Sequence, residues 1–280
     1  MRIKHHICCE SDVRLEKNLQ EHSIPFSRFS MGLHDVGPKY VAIDIYEDNC
    51  YYSEIVQLAN KGVVHTMNRE YSKEKLFASP WLTVRCFTPS IDLEREEESL
   101  LISSPEASDS CKHRTLVSTS FYLRKPINWR KTHFASAYFL GNQHLFCDAF
   151  VRTLLEKEKM PIKFVELRHF KTGLPIENVY YLDILNELPE SAILPDGIED
   201  IQKCAICGGV HYKIDSTYQL HLRAQYLDEQ KGICKTPSVF ARGDYYAEPI
   251  NVVSNDLYRL LISHSNRITR NLVFEPIVLE

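Results

Sequence analysis

Apolar and polar residues alternate with a period of two along KYVAIDIYE (39–47), the pattern of a half-buried strand. RIKHHICC (2–9), VVHTMNREY (63–71) and WLTVRCF (81–87) carry the same kind of strand signal. Between these runs, SDVRLEKNLQEH (11–22) sets Val13, Leu15 and Leu19 among charges, which predicts a helix capped by Ser11 or Asp12. YSEIVQLANKG (52–62) predicts a second helix stopped by Gly62, and SKEKLFAS (72–79) a short third one capped by Ser72. This βαββαβ-like order predicts a small N-terminal α+β layer over residues 1–90, with helices on one face of a sheet.

The periodicity stops at residues 91–113, IDLEREEESLLISSPEASDSCKH, where an acidic run meets Ser, Pro and Ala. This stretch reads as a solvated, mobile linker and marks the expected domain boundary. A larger mixed α/β domain is expected over residues 114–280. It contains two similar strand–helix–strand units, LFCDAFVRTLLEKEKMPIKFVEL (145–167) and VVSNDLYRLLISHSNRITRNLVFEPIVL (252–279). Matching them sets Cys147 against Ser254 at the helix caps, Phe150 against Leu257, Arg152 against Arg259 and Leu154 against Leu261. Phe164 then falls against Phe274, and Leu167 against Ile277. The helices are accordingly expected to bury Phe150 with Leu154, and Leu257 with Leu261. The tyrosines of NVYYLDI and RGDYYAEPI suit sheet faces.

Composition narrows the function classes. A chain of 280 residues with 44% hydrophobic content can bury a full core. No apolar run is long enough to span a bilayer, and MRIKHHICCES lacks the apolar region of a secretory signal, so a cytoplasmic protein is expected. A net charge of −4, with scattered basic residues, argues against a nucleic-acid partner. Nine cysteines, most of them inside apolar patterns, read as reduced thiols rather than a disulfide framework. His5, His6, His133 and His169 are dispersed and read as packed or surface histidines.

Candidate chemistry concentrates in CAICGGVHY (204–212). Two residues between Cys204 and Cys207 let both thiolates face one metal, and Gly208 and Gly209 can adopt positive φ and aim N–H groups at the sulfurs. A closed structural zinc site needs two further ligands; Cys234, His211 and His221 are the candidates. A tight turn carrying two reduced cysteines fits the same residues. A redox pair fits less well, because no helix follows to lower a thiol pKa. A catalytic zinc lacks an accompanying HExxH or H-x-E arrangement. GxSxG, P-loop and GxGxxG motifs are absent, and Cys147 reads as a helix cap rather than a nucleophile.

The motif Cys204, Cys207, Gly208, together with the ending VVSNDLYRLL and LVFEPIVL and the upstream YSKEKLFASPWLTVR, resembles bacterial immunity-type proteins of polymorphic toxin systems, in particular the double-CxxCG-motif group. A second CxxCG is missing from this chain, so the resemblance does not carry a metal over. It implies a cytoplasmic, non-enzymatic protein whose partner is another protein, a toxin that it neutralises. Charge and the lack of a long apolar run already argue against a nucleic-acid or membrane partner. The alternatives are a zinc-containing enzyme with Cys204 and Cys207 as ligands, or a phage or mobile-element accessory protein.

Overall fold

The computed structural model describes residues 1–30, 39–59, 62–86, 89–91, 101–103, 114–116, 121–129, 132–137, 143–203, 210–214, 218–237, 240–242, 248–265 and 267–280. They form a mixed α+β protein that divides into two compact units, Met1–Ser72 and Lys73–Glu280.

The first unit runs β1 (Arg2–Glu10), α1 (Val13–Glu21), β2 (Phe26–Ser30), β3 (Lys39–Tyr46), α2 (Tyr52–Leu58) and β4 (Gly62–Glu70). Its strands pair antiparallel in the order β2-β3-β1-β4. Each helix therefore joins two strands that have a third between them, the split βαβ connectivity of ferredoxin-like sheets. Asp12 begins α1 by accepting the Arg14 N–H at 2.6 Å. Alternation turns Ile7, Cys9, Val41, Ile43 and Ile45 to one face, where they pack against Leu15 and Leu19 of α1 and Ile55 of α2. Strand β2 is too short and polar for its alternation to stand out in the sequence. It is tied to α1 by Arg28, whose guanidinium, with the Ser11 hydroxyl, holds the Glu16 carboxyl down at about 2. Gly62, expected as a helix cap, instead opens β4.

The second unit continues with α3 (Lys73–Ala78), β5 (Trp81–Cys86), β6 (Pro89–Ile91), β7 (Leu101–Ser103), β8 (Arg114–Leu116) and β9 (Phe121–Leu123). Then come β10 (Phe134–Ala137), β11 (Leu145–Cys147), α4 (Ala149–Lys157), β12 (Ile162–His169) and β13 (Pro175–Ile184). After them follow β14 (Asp200–Lys203), β15 (Val210–Ile214), β16 (His221–Leu222), β17 (Ile233–Lys235) and β18 (Phe240–Arg242). The chain closes with β19 (Asn251–Ser254), α5 (Asn255–His264), β20 (Leu272–Pro276) and β21 (Val278–Leu279). Two sheets dominate: a six-stranded one ordered β6-β10-β11-β13-β12-β9 and a four-stranded one ordered β17-β19-β5-β20.

The boundary between the units differs from the expected one at 91–113. Strand β5, expected in the N-terminal layer, lies between β19 and β20, antiparallel to both. Helix α3 is fastened to α5: the Asn255 side-chain amide donates to the carbonyls of Leu76 at 2.8 Å and Ser79 at 2.6 Å. The pattern locates β5 correctly, but its partners lie far along the chain and period alone cannot name them. Of the expected linker, residues 92–100 and 104–113 lie outside the described residues, while Leu101–Ser103 pairs antiparallel with Arg114–Leu116.

The two similar units take equivalent forms. In β11–α4–β12 the intervening antiparallel strand is β13; in β19–α5–β20 it is β5. Both helices contribute to one core with β5, β10, β11, β13, β19 and β20. The residue matching is corrected by one position. Asp148, not Cys147, caps α4 and accepts the Val151 N–H at 3.0 Å, as Ser254 accepts the Leu257 N–H at 3.2 Å. That shift rotates the buried face of α4 by about 100°. Val151, Leu154 and Leu155 are buried, whereas Phe150, expected inside, is 49% exposed. In α5, Leu257 and Leu261 are buried as expected.

Candidate functional site

Of the five expected metal ligands, Cys204 and Cys207 lie outside the described residues. Cys234 sits in β17 and turns into an apolar cluster with Val252, Phe240 and Ile250. Burial there pushes its thiol up to about 12, so it rests as a small packed hydrophobe. His211 is buried in β15, and His221 is half-buried in β16. Among the described residues, Cys234, His211 and His221 do not converge as a three-ligand set.

His221 is drawn instead into a cluster with Asp196 and Glu280, whose candidate ligand atoms all lie within 4.8 Å of one another. Three chain segments build it. Strand β16 pairs parallel with β21, which brings Glu280 alongside; the Glu280 N–H donates to the Leu222 carbonyl at 3.1 Å. Leu194 donates its N–H to the His221 carbonyl at 3.1 Å and so carries the Pro195–Ile198 turn, with Gly197 at φ +75°, to the same place. The His221 Nδ1 atom is shielded from solvent and makes no hydrogen bond; the nearest Glu280 oxygen is 3.9 Å away. One imidazole and two carboxylates suit a borderline or hard divalent cation better than a thiolate-rich zinc site does. Asp196 and Glu280 carry no signal in the sequence, because they reach His221 only through the β16–β21 pairing and the turn.

A second constellation surrounds the start of α4. Asp148 is buried and uses one carboxylate oxygen as the helix cap, while the other lies 2.7 Å from His133 Nδ1. Asn178 holds a left-handed conformation, φ +61°, that residues other than glycine adopt at a cost. From it the side-chain oxygen accepts the Ala149 N–H at 2.7 Å, and the backbone carbonyl accepts the Trp129 indole N–H at 2.7 Å. These bonds fix Trp129 beside the first turn of α4, where the Phe150 ring lies 5.4 Å from that of His133. The outcome is a pair of rings, His133 held by Asp148 and Phe150 projecting into solvent, while Trp129 packs against the core cluster of Phe121 and Phe146.

Comparison of the chain with protein-family models, with curated proteins and with solved structures finds no match. Among the described residues, no helix is long and apolar enough to cross a membrane.

Proposed function

We propose that the protein binds another protein and acts as an immunity-like antagonist of a bacterial toxin. The observation that carries this reading is the pair of rings at the head of α4, Phe150 beside the Asp148-held His133. Aromatic side chains fixed in place and partly exposed are what binding hot spots are made of, since they offer large apolar area with little rotamer entropy left to lose. Left-handed Asn178, whose side-chain oxygen accepts the Ala149 N–H, is a local strain that fixes the start of the helix from which Phe150 projects. The net charge of −4 favours a basic partner and would speed its encounter. The resemblance to immunity-type proteins, carried by residues 71–85, 252–261 and 272–279, points the same way.

The test is co-expression of the chain with the products of the genes beside its own. A toxic product should be neutralised and should co-purify as a stable complex. Phe150→Ala should weaken that complex at least tenfold and leave the fold intact. Failure of every neighbour to bind would overturn the toxin reading. A Phe150→Ala protein that binds as tightly as wild type would move the recognition surface elsewhere.

A second reading, a bound divalent cation, is favoured by the convergence of Asp196, His221 and Glu280. A structural zinc on Cys204 and Cys207 is proposed on spacing alone. Elemental analysis separates them. Near-stoichiometric metal lost in Asp196→Asn/Glu280→Gln places the ion on His221, and loss only in Cys204→Ser places it on the cysteines. Less than about a tenth of an equivalent in wild type removes both.

A further inference from the structure

The outer face of the first unit's sheet carries chemistry that neither reading uses. Both helices of that unit pack on the inner face, with Ile7 and Cys9, so alternation sends Lys4, His6 and Cys8 of β1 to the other side. Register places Asp44 of β3 directly opposite His6, and Ala42 opposite Cys8. The Asp44 carboxylate lies 2.8 Å from His6 Nδ1 and 3.0 Å from Lys4 Nζ. On the far side of the ring, His6 Nε2 lies 3.4 Å from Cys8 Sγ. With Asp44 accepting from Nδ1–H, the imidazole presents its Nε2 lone pair to the thiol. Thiol, imidazole and carboxylate thus stand in the order nucleophile, base, orienter.

Toward β3 this line of groups is open. The His6 and Asp44 side chains are 40% and 46% exposed. Ala42 opposes Cys8 with a single methyl group, and Ser27 follows on β2. One step along the same face, the rings of Phe29 and Tyr40 pack 5.7 Å apart and form an apolar wall. Cys9 points into the core, so its thiol is not presented on this face as a resolving partner for disulfide exchange. Among the described residues, no three-ligand metal group forms here either.

We propose that Cys8, His6 and Asp44 form a nucleophilic thiol centre that accepts acyl groups from esters and thioesters. Burial, with a smaller contribution from the Asp44 charge, raises the Cys8 thiol above its usual range. It therefore rests protonated and depends on His6 to become a nucleophile. Burial works against the Asp44 charge, but the hydrogen bonds from His6 and Lys4 outweigh it and keep the carboxyl ionised. In the first step Cys8 Sγ bonds to the acyl carbonyl carbon and its proton passes to His6 Nε2. The bond from that carbon to the leaving oxygen or sulfur breaks, and the His6 proton goes to the leaving group, releasing an alcohol or thiol. Water then attacks the S-acyl carbon and gives a proton to His6, which returns it to the Cys8 sulfur as the carboxylic acid departs. Cys8 and His6 are the catalytic residues; Asp44 is a positioning residue.

The experiment treats the full chain with p-nitrophenyl acetate and follows both p-nitrophenolate release and the site of acetylation by peptide mass spectrometry. Acetyl is expected on Cys8 ahead of every other cysteine, including exposed Cys50. His6→Ala should slow acylation about a hundredfold or more, with partial recovery on adding free imidazole. Should that variant fail to fold, His6→Gln serves the same purpose. Asp44→Asn should slow acylation, and Asp44→Glu, which keeps the carboxylate, should recover part of the loss. Acetyl spread evenly over the accessible thiols, or a rate unchanged without His6, would overturn the proposal. The acylation is read on the free chain with no partner present, so its outcome does not depend on the toxin reading.

Discussion

Leu261→Ala should destabilise the second unit by roughly 2–5 kcal/mol, the cost of emptying a buried leucine site. Leu261 is 3% exposed and lines a small apolar cavity with Leu155, Leu257, Val84, Phe134 and Leu182. Strands from both main sheets form the walls of that cavity, and paired strands move little to fill a void, so most of the deleted volume should persist. Phe150→Ala is the matched control. Its ring is half in water, and losing it should cost less than about 1 kcal/mol. Both tryptophans, Trp81 and Trp129, belong to the second unit, so urea unfolding followed by selectively excited tryptophan fluorescence reports on that unit. Equal losses for the two variants would show that the buried face of α4 or α5 is assigned wrongly.

Much of the local structure was legible in the chain. Strand β3 announced itself by alternation, α1 by Asp12 and its Leu15–Leu19 stripe, and α5 by Ser254 and the Leu257–Leu261 pair. Where the reading went astray, the reason is physical. Cys147 and Asp148 both stand where a cap is expected, and choosing the wrong one turns the helix by one residue. That single step exchanges Phe150 for Val151 in the core. Pairing across long separations was beyond the pattern altogether. Period two makes WLTVRC a strand but is silent on β19 and β20, which claim it from the far end of the chain.

The candidate sites follow the same rule. His6 and Cys8, two apart in one strand, could be read as sharing a face, yet Asp44 joins them only through the β1–β3 register. His221 stood out as a potential ligand for the cysteine knuckle. Its neighbours in space are Asp196 and Glu280, because the strand it sits in pairs with β21 and receives the turn after Leu194. Side chains that act together here come from segments joined by sheet hydrogen bonds. A motif search along the chain detects only those that fall within one segment.

The membership of β5 in the C-terminal sheet can be tested energetically through Arg85. Its guanidinium lies 3.0 Å from the Glu275 carboxylate of β20, on the sheet face opposite Leu82 and Val84. The two side chains are only 13% and 16% exposed, so each charge has given up most of its hydration to make the pair. Arg85→Met alone should leave Glu275 poorly solvated and cost roughly 2–4 kcal/mol, somewhat below the range for fully buried pairs because some water remains. Glu275→Leu alone should also destabilise. Replacing both at once removes the desolvation cost together with the attraction, and the double variant should fall within about 1 kcal/mol of wild type. A double-mutant cycle built on fluorescence-detected urea unfolding should therefore show strong coupling between residues 190 positions apart. Additive losses would mean that the two charges act independently, and the β5–β20 pairing would lose its clearest energetic signature.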